Sequence, residues 1–153
     1  MKMQKTIKEP IELKGVGLHN GILATLCLKP AEVNSGIKFK RTDIDGKKNI
    51  IEANYNNVHS PILCTKIQNS QGVSVSTIEH LMAAFYGEGI DNILVEVNAS
   101  EIPIMDGSAF DFVEAIRSVG TENQKALKKF IKVLKKIEQY FNKFVSLDPP
   151  PVI

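Results

Sequence analysis

The chain reads as an α+β domain in which an antiparallel sheet carries two helices on one face. Short apolar runs, alternating or rich in β-branched residues, recur between turn signals from Ile11 to Val97. Two stretches, Ile78 to Phe85 and Ala109 to Val119, switch to helical spacing. Each helix has one apolar stripe, and a stripe of that kind needs a sheet to cover it. With 153 residues, 43% of them hydrophobic and 24% charged, the chain can bury one core. Residues 1–120 are expected to form the domain and residues 121–153 a linker and the opening of a second one.

Ile11–Leu18 and Ile22–Leu28 flank His19-Asn20-Gly21, and Asn-Gly is the favoured pair for a tight hairpin turn. Gly15 and Gly17 weaken the first of these strands, which points to a bulge or to another group coming close. Gly36–Arg41 alternates apolar and charged residues as a half-buried strand does, and Thr42–Lys48 turns the chain. Ile50–Ala53 is a short strand, followed by a loop from Asn54 to Ser60. Pro61–Ile67 and Val73–Val75 bracket Asn69–Gly72 as a second hairpin.

Ser76 followed three residues later by Glu79 predicts a capping box, with Ile78, Leu81, Met82 and Phe85 on the core face of the helix it starts. Gly87 and Gly89 close that helix, and Ile90–Val97 is the strongest strand of the chain. Asp106-Gly107 is a turn. Ser108 with Asp111 predicts the cap of the second helix, whose stripe is Ala109, Phe112, Val113, Ile116 and Val119, with Gly120 as its stop.

The remaining segment has two readings. Leu127, Phe130, Ile131, Leu134, Ile137, Phe141 and Phe144 share one helical face with lysines opposite, the pattern of a basic amphipathic helix for an acidic membrane surface or a partner groove. Ile131, Val133, Lys135 and Ile137 also alternate, and Phe144–Leu147 is strand-like, which gives a hairpin instead. The sequence ends on an extended Asp148-Pro-Pro-Pro-Val-Ile.

A net charge of +2 hides an asymmetry: seven lysines against three acids make residues 121–153 basic by +4, which leaves −2 on residues 1–120. A mildly acidic body without aromatics interleaved with arginine has no nucleic-acid footprint. No apolar run approaches a membrane span, no signal-peptide core follows the first residues, and cytoplasm is the expected compartment. Cys27 and Cys64 sit in apolar runs rather than a Cys-x-x-Cys pair and read as buried thiols, not a zinc knuckle.

At 100° per residue His80 lies outside the core stripe, beside Glu79. An acid and an imidazole side by side suit a hydrolytic zinc enzyme, the carboxylate activating water and the imidazole holding metal. A capping glutamate next to an exposed histidine explains the same two residues, and a second histidine four places on, as zincins have, is replaced by Ala84.

Four motifs occur in order: Gly15-Val-Gly-Leu-His-Asn-Gly21, Ser76-Thr-Ile-Glu-His-Leu-Met-Ala-Ala84, Gly89-Ile-Asp-Asn92 with Val95-Glu-Val97, and Ile102-Pro-Ile-Met-Asp-Gly-Ser-Ala109. Together they resemble the first half of the UDP-3-O-acyl-N-acetylglucosamine deacetylases, zinc amidases of lipid A synthesis, over about residues 4–120. The resemblance implies one half of a two-fold β-α-α-β sandwich, with helices packed between two sheets. It implies His80 as a zinc ligand and Glu79 as the base that takes a proton from the attacking water. Leu18, His19, Leu63 and Cys64 match segments bordering the substrate cleft. Hairpin-tip and core roles explain His19, Leu63 and Cys64 equally well, and Asp106 reads as a turn and cap residue rather than an acid catalyst.

The family's second half supplies another histidine and an aspartate to zinc, and no histidine follows His80 here. The first expectation is therefore an N-terminal fragment of the enzyme, lacking a full site, whose exposed helix faces meet a second domain or another copy. The second is a non-catalytic module docking through its basic tail. The third is a zinc site assembled locally from His80, Glu79, His19, His59 or Cys64.

Overall fold

The computed structural model describes residues 2–46, 48–60, 62–140 and 144–149. Its centre is a five-stranded sheet in the order β2 (Ile11–Val16), β3 (Leu23–Pro30), β8 (Ile93–Val97), β4 (Ile37–Arg41) and β5 (Ile50–Glu52). The expected strands are present, but β4 runs parallel to β8, so the sheet is mixed rather than wholly antiparallel. Parallel neighbours need a long crossover. Here it includes β5, the two-residue strands β6 (Ile67–Gln68) and β7 (Ser74–Val75), and helix α1 (Glu79–Glu88).

Alternation along the strands creates two unlike faces. Registration aligns Ile11, Leu28, Val95, Phe39 and Ile51 as one buried row across all five strands. Leu81, Ala84 and Phe85 of α1 and Phe112 and Ile116 of α2 (Phe110–Val119) complete the same core, and the two helices pack on each other. The other face is polar: Lys29 and Lys40 reach Glu96 at 2.6 and 2.9 Å. Each fully buried Phe or Leu contributes about 1.5–3 kcal/mol, so the row and the two stripes fix where α1 lies.

Neither helix starts as expected. Ile78 and Ala109 occupy the cap positions, and no side chain caps them. Ser76 is pinned in an extended bridge with Glu101 and donates both its N–H and its Oγ–H to the Ser100 carbonyl. Ser108 donates to the Asp106 carboxylate and accepts from the Phe110 N–H, a local turn in place of a box with Asp111. The stops at Gly89 and Gly120 are as expected, both at positive φ.

The first hairpin is wider than a two-residue Asn-Gly turn: Val16 pairs with Leu23, leaving six residues, 17–22, in the loop. The second hairpin is confined to β6 and β7, and residues 62–66 are not strand. Two strands without a sequence signal, β1 (Met3–Ile7) and β9 (Thr121–Leu127), pair antiparallel. The boundary expected at residue 120 thus falls immediately before a strand that lies on the N-terminal one. The Asn92 amide donates to Gln4 Oε1 of β1 and to Gln124 Oε1 of β9 and so ties the two strands together.

Of the two readings of the tail, the strand reading is met in part: β10 (Ile137–Tyr140) pairs antiparallel with β11 (Phe144–Leu147), but the alternating residues Ile131, Val133 and Lys135 are not strand, and none of the described residues of the tail is helical. Pro61, Phe141 and the extended terminus from Pro150 lie outside the described residues. No helix among those described is long and apolar enough to cross a membrane.

Candidate active site

Thr77 is the joint on which the site turns. It follows an extended Ser76 and takes φ 57°, a left-handed conformation that costs a β-branched residue on the order of 1–2 kcal/mol. The chain then enters α1 two residues later. With Ser76 held by Ser100, Glu79 is not part of a capping box, and its carboxylate turns outward: Oε2 accepts from the Thr65 N–H at 3.0 Å. The other oxygen makes no hydrogen bond among the described residues.

Glu79 also lines an open, largely apolar groove of about 530 Å³, walled by Met82 and Tyr86 of α1 and by Tyr55 and Val58, with Ile67 at its base. Tyr86 is 90% exposed. The acid therefore faces a concavity and is not packed into the core. His80, the next residue, is half-buried and outside the hydrophobic core. The Ser108 N–H and Oγ–H hold Asp106 below the usual carboxylate range, with a smaller contribution from the charge of His80.

Leu63 is 87% exposed at φ 64°, so it is not a core residue. Cys64 is half-buried and leads into Thr65, whose N–H meets Glu79. Leu18, 59% exposed, and His19 sit in the loop 17–22, which is fastened to the site by Glu101. That carboxylate is 1% exposed; Oε1 accepts from Thr77 Oγ1 at 2.7 Å and from the His19 N–H at 3.1 Å, and Oε2 accepts from the Asn20 N–H at 3.0 Å. Burial works to raise the Glu101 carboxyl, but the bonds from Thr77, Asn20 and His19 outweigh it and hold the group below its ordinary range.

Four segments thus converge, 17–20, 63–65, 77–80 and 101–106, and three of the five non-glycine residues at positive φ among the described residues, Leu63, Thr77 and Met105, lie in them. His59 is exposed in a loop, its N–H bonded to the Lys66 carbonyl. Among the described residues no three His, Cys, Asp or Glu side chains gather closely enough to hold a metal ion, so the locally assembled zinc site is not formed. Glu101 was not legible as a site residue, whereas Thr77 lay inside the Ser76–Ala84 motif and Thr65 beside Leu63 and Cys64. The one available signal was a lone acid placed directly before Ile102-Pro103-Ile104.

The two-layer fold, with Glu79 and His80 on the first turn of a helix laid on a mixed sheet, is of the α+β class. The chain is a member of the UDP-3-O-acyl N-acetylglycosamine deacetylase family, whose model matches residues 4–151. It is 49% identical over 150 residues to the UDP-3-O-acyl-N-acetylglucosamine deacetylase of Shewanella pealeana, covering 97% of this chain and 49% of that protein. The Pasteurella multocida enzyme of the same name is 47% identical over 137 residues, covering 90% and 45%. That of Haemophilus influenzae is 49% identical over 133 residues, covering 87% and 43%. The chain spans about half the length of the curated relatives it matches.

Proposed function

We propose that this chain forms the N-terminal half of a zinc-dependent UDP-3-O-acyl-N-acetylglucosamine deacetylase, which removes the acetyl group from the sugar amide in lipid A synthesis. The observation that supports it most is the Glu79 carboxylate, anchored through one oxygen by the Thr65 N–H, with no hydrogen bond to the other among the described residues, on a residue that lines an open groove. Amide hydrolysis needs a group that takes a proton from water as its oxygen attacks the carbonyl carbon; the C–N bond then breaks, acetate leaves, and the amine departs with a proton. Glu79 is that base in this reading. The anchored oxygen fixes the plane of the carboxylate, so the free oxygen meets water in one orientation.

A bound zinc ion would polarise the amide carbonyl and acidify the water. This chain offers it one donor, His80, whereas catalytic zinc takes three protein ligands. The residues described fit a share of such a site and not the whole, and the other donors are assigned to a second half. Leu18, His19, Leu63 and Cys64 border the substrate cleft, and the second half closes over the α1 face that bears Ala83 and Tyr86. A nucleotide-sugar substrate and the two free thiols, Cys27 and Cys64, suit a cytoplasmic setting.

The test is Glu79→Gln in this chain completed with the C-terminal half of the Haemophilus influenzae relative. Turnover is expected to fall by about 10²–10⁴-fold, with zinc content unchanged. Equal turnover would dispose of Glu79 as the base, and unchanged zinc content after His80→Ala would dispose of the ligand.

A further inference from the structure

We propose that Glu101 is a positioning residue: a single buried carboxylate that locks the Leu18–His19 loop to the Thr77 turn and so aims Glu79 and His80. The significance for catalysis rests on the reading of that pair given above; the mechanical coupling does not.

Glu101 is buried, and among the described residues neither lysine nor arginine pairs with it. A buried charge without a cation is costly unless donors surround it. Its donors come from two segments that are remote in sequence, the Thr77 hydroxyl on one side and the N–H groups of His19 and Asn20 on the other. The carboxylate is satisfied only when both segments are in place, so each holds the other in register.

The backbone around it is rigid. Glu101 bridges Ser76, the Ile102 N–H donates to the Ser76 carbonyl at 3.1 Å, and the Ile104 N–H donates to the Val16 carbonyl at 3.0 Å. The segment carrying Glu101 is therefore laced between the two pieces it joins. Gly17 completes the fit: a Cβ there would stand 2.6 Å from Glu101 Oε2, so the loop closes onto the carboxylate with no room for a side chain.

Thr77 carries the coupling onward. Its left-handed conformation is strained, and the 2.7 Å bond from Oγ1 to Glu101 is what offsets the strain. Released, Thr77 would relax toward an ordinary backbone region, and the direction in which the chain enters α1 would turn with it. Glu79 and His80 are the first two residues of that helix.

The test uses the chain itself, isotopically labelled, with the His80 ring signals and the Thr65 amide as reporters. Thr77→Val keeps the β-branch and removes the donor; it is expected to displace both reporters while the His19 and Asn20 amides stay in place. Thr77→Ser restores the hydroxyl and is expected to restore the parent spectrum. Glu101→Gln keeps the volume, removes the charge, and should displace the reporters and speed exchange at His19 and Asn20 by about tenfold. The Leu26 and Val95 amides report that the core is intact.

Reporters unmoved in Thr77→Val would overturn the proposal, because Glu101 would then anchor the loop alone. The Thr77 variants suffice for that outcome, whatever the fate of Glu101→Gln. None of these readouts depends on catalysis: a fully active Glu79→Gln enzyme would sink the base assignment and leave the coupling standing.

Discussion

Replacing Gly17 by alanine tests how tightly the loop is closed without touching any charge. The new Cβ would sit 2.6 Å from Glu101 Oε2 and overlap Asn20 Oδ1. Neither neighbour is free to move. Asn20 Oδ1 accepts the Ile22 N–H at 2.8 Å, and Oε2 accepts the Asn20 N–H at 3.0 Å. Relief of the clash breaks at least one of these bonds. A hydrogen bond to a charged acceptor is worth about 1.5–3 kcal/mol, and overpacking in a closed site costs about 1–3 kcal/mol. Since displacement relieves part of the overlap, the two do not add in full, and the expected loss is about 2–4 kcal/mol. For a domain of this size that lowers Tm by roughly 5–15 °C. Urea unfolding with an unchanged m-value measures it. Gly21→Ala in the same loop is the control, because nothing stands within 4 Å of its Cβ position and only its φ of 65° resists, at about 1 kcal/mol. If Gly17→Ala costs no more than Gly21→Ala, the closure of the loop on Glu101 is not as described.

Acid stability should depend on Glu96 as well. Its hydrogen bond from Lys29, with help from Lys40 and against the effect of burial, holds the carboxyl below its usual range. A depressed carboxylate stabilises the fold above its unfolded value and loses that contribution as pH falls through the folded one. With both lysines substantially exposed, Glu96→Gln is expected to cost about 0.5–1 kcal/mol at neutral pH and nothing in strong acid; a penalty that persists in strong acid would refute the ion-pair account. The domain limit can be tested by length. A chain ended at residue 120 loses the partner of β1 and the Gln124 bonds to Asn92 and Ala31. It is expected to unfold at lower urea than one ended at residue 127, and equal midpoints would support a boundary at 120.

What the sequence disclosed is what period and punctuation encode. The alternation in Ile37–Arg41 and the stripe of Phe112 and Ile116 depend on a residue's own neighbours, and both elements stand where expected. The capping box at Ser76 failed because a competing partner, the Ser100 carbonyl, lies twenty-four residues away and takes both of the serine's donors. Strand β1 was hidden for the same reason. Its buried side chains include Gln4 and Thr6, which a hydropathy pattern discounts, yet Gln4 is satisfied by Asn34, Asn92 and the Leu127 carbonyl. The paired Glu79 and His80 were visible as a motif, while Glu101, which holds the turn before them, was visible only once the loop 17–22 had been laid against it.

The site is consequently assembled from two kinds of part with different stiffness. The body of α1 is set by a buried row five strands wide and by Leu81, Ala84 and Phe85, contacts that only unfolding removes. The loops beside it are held by a few charge-assisted bonds, Thr65 to Glu79 and the three donors of Glu101, each of which competes with water once it opens. The strain at Leu63, Thr77 and Met105 lies in the segments around the first turn of α1, and at Thr77 the bond to Glu101 offsets it. Packing therefore places the body of α1, while the bond between Thr77 and Glu101 sets the direction in which its first turn, with Glu79 and His80, leaves the sheet.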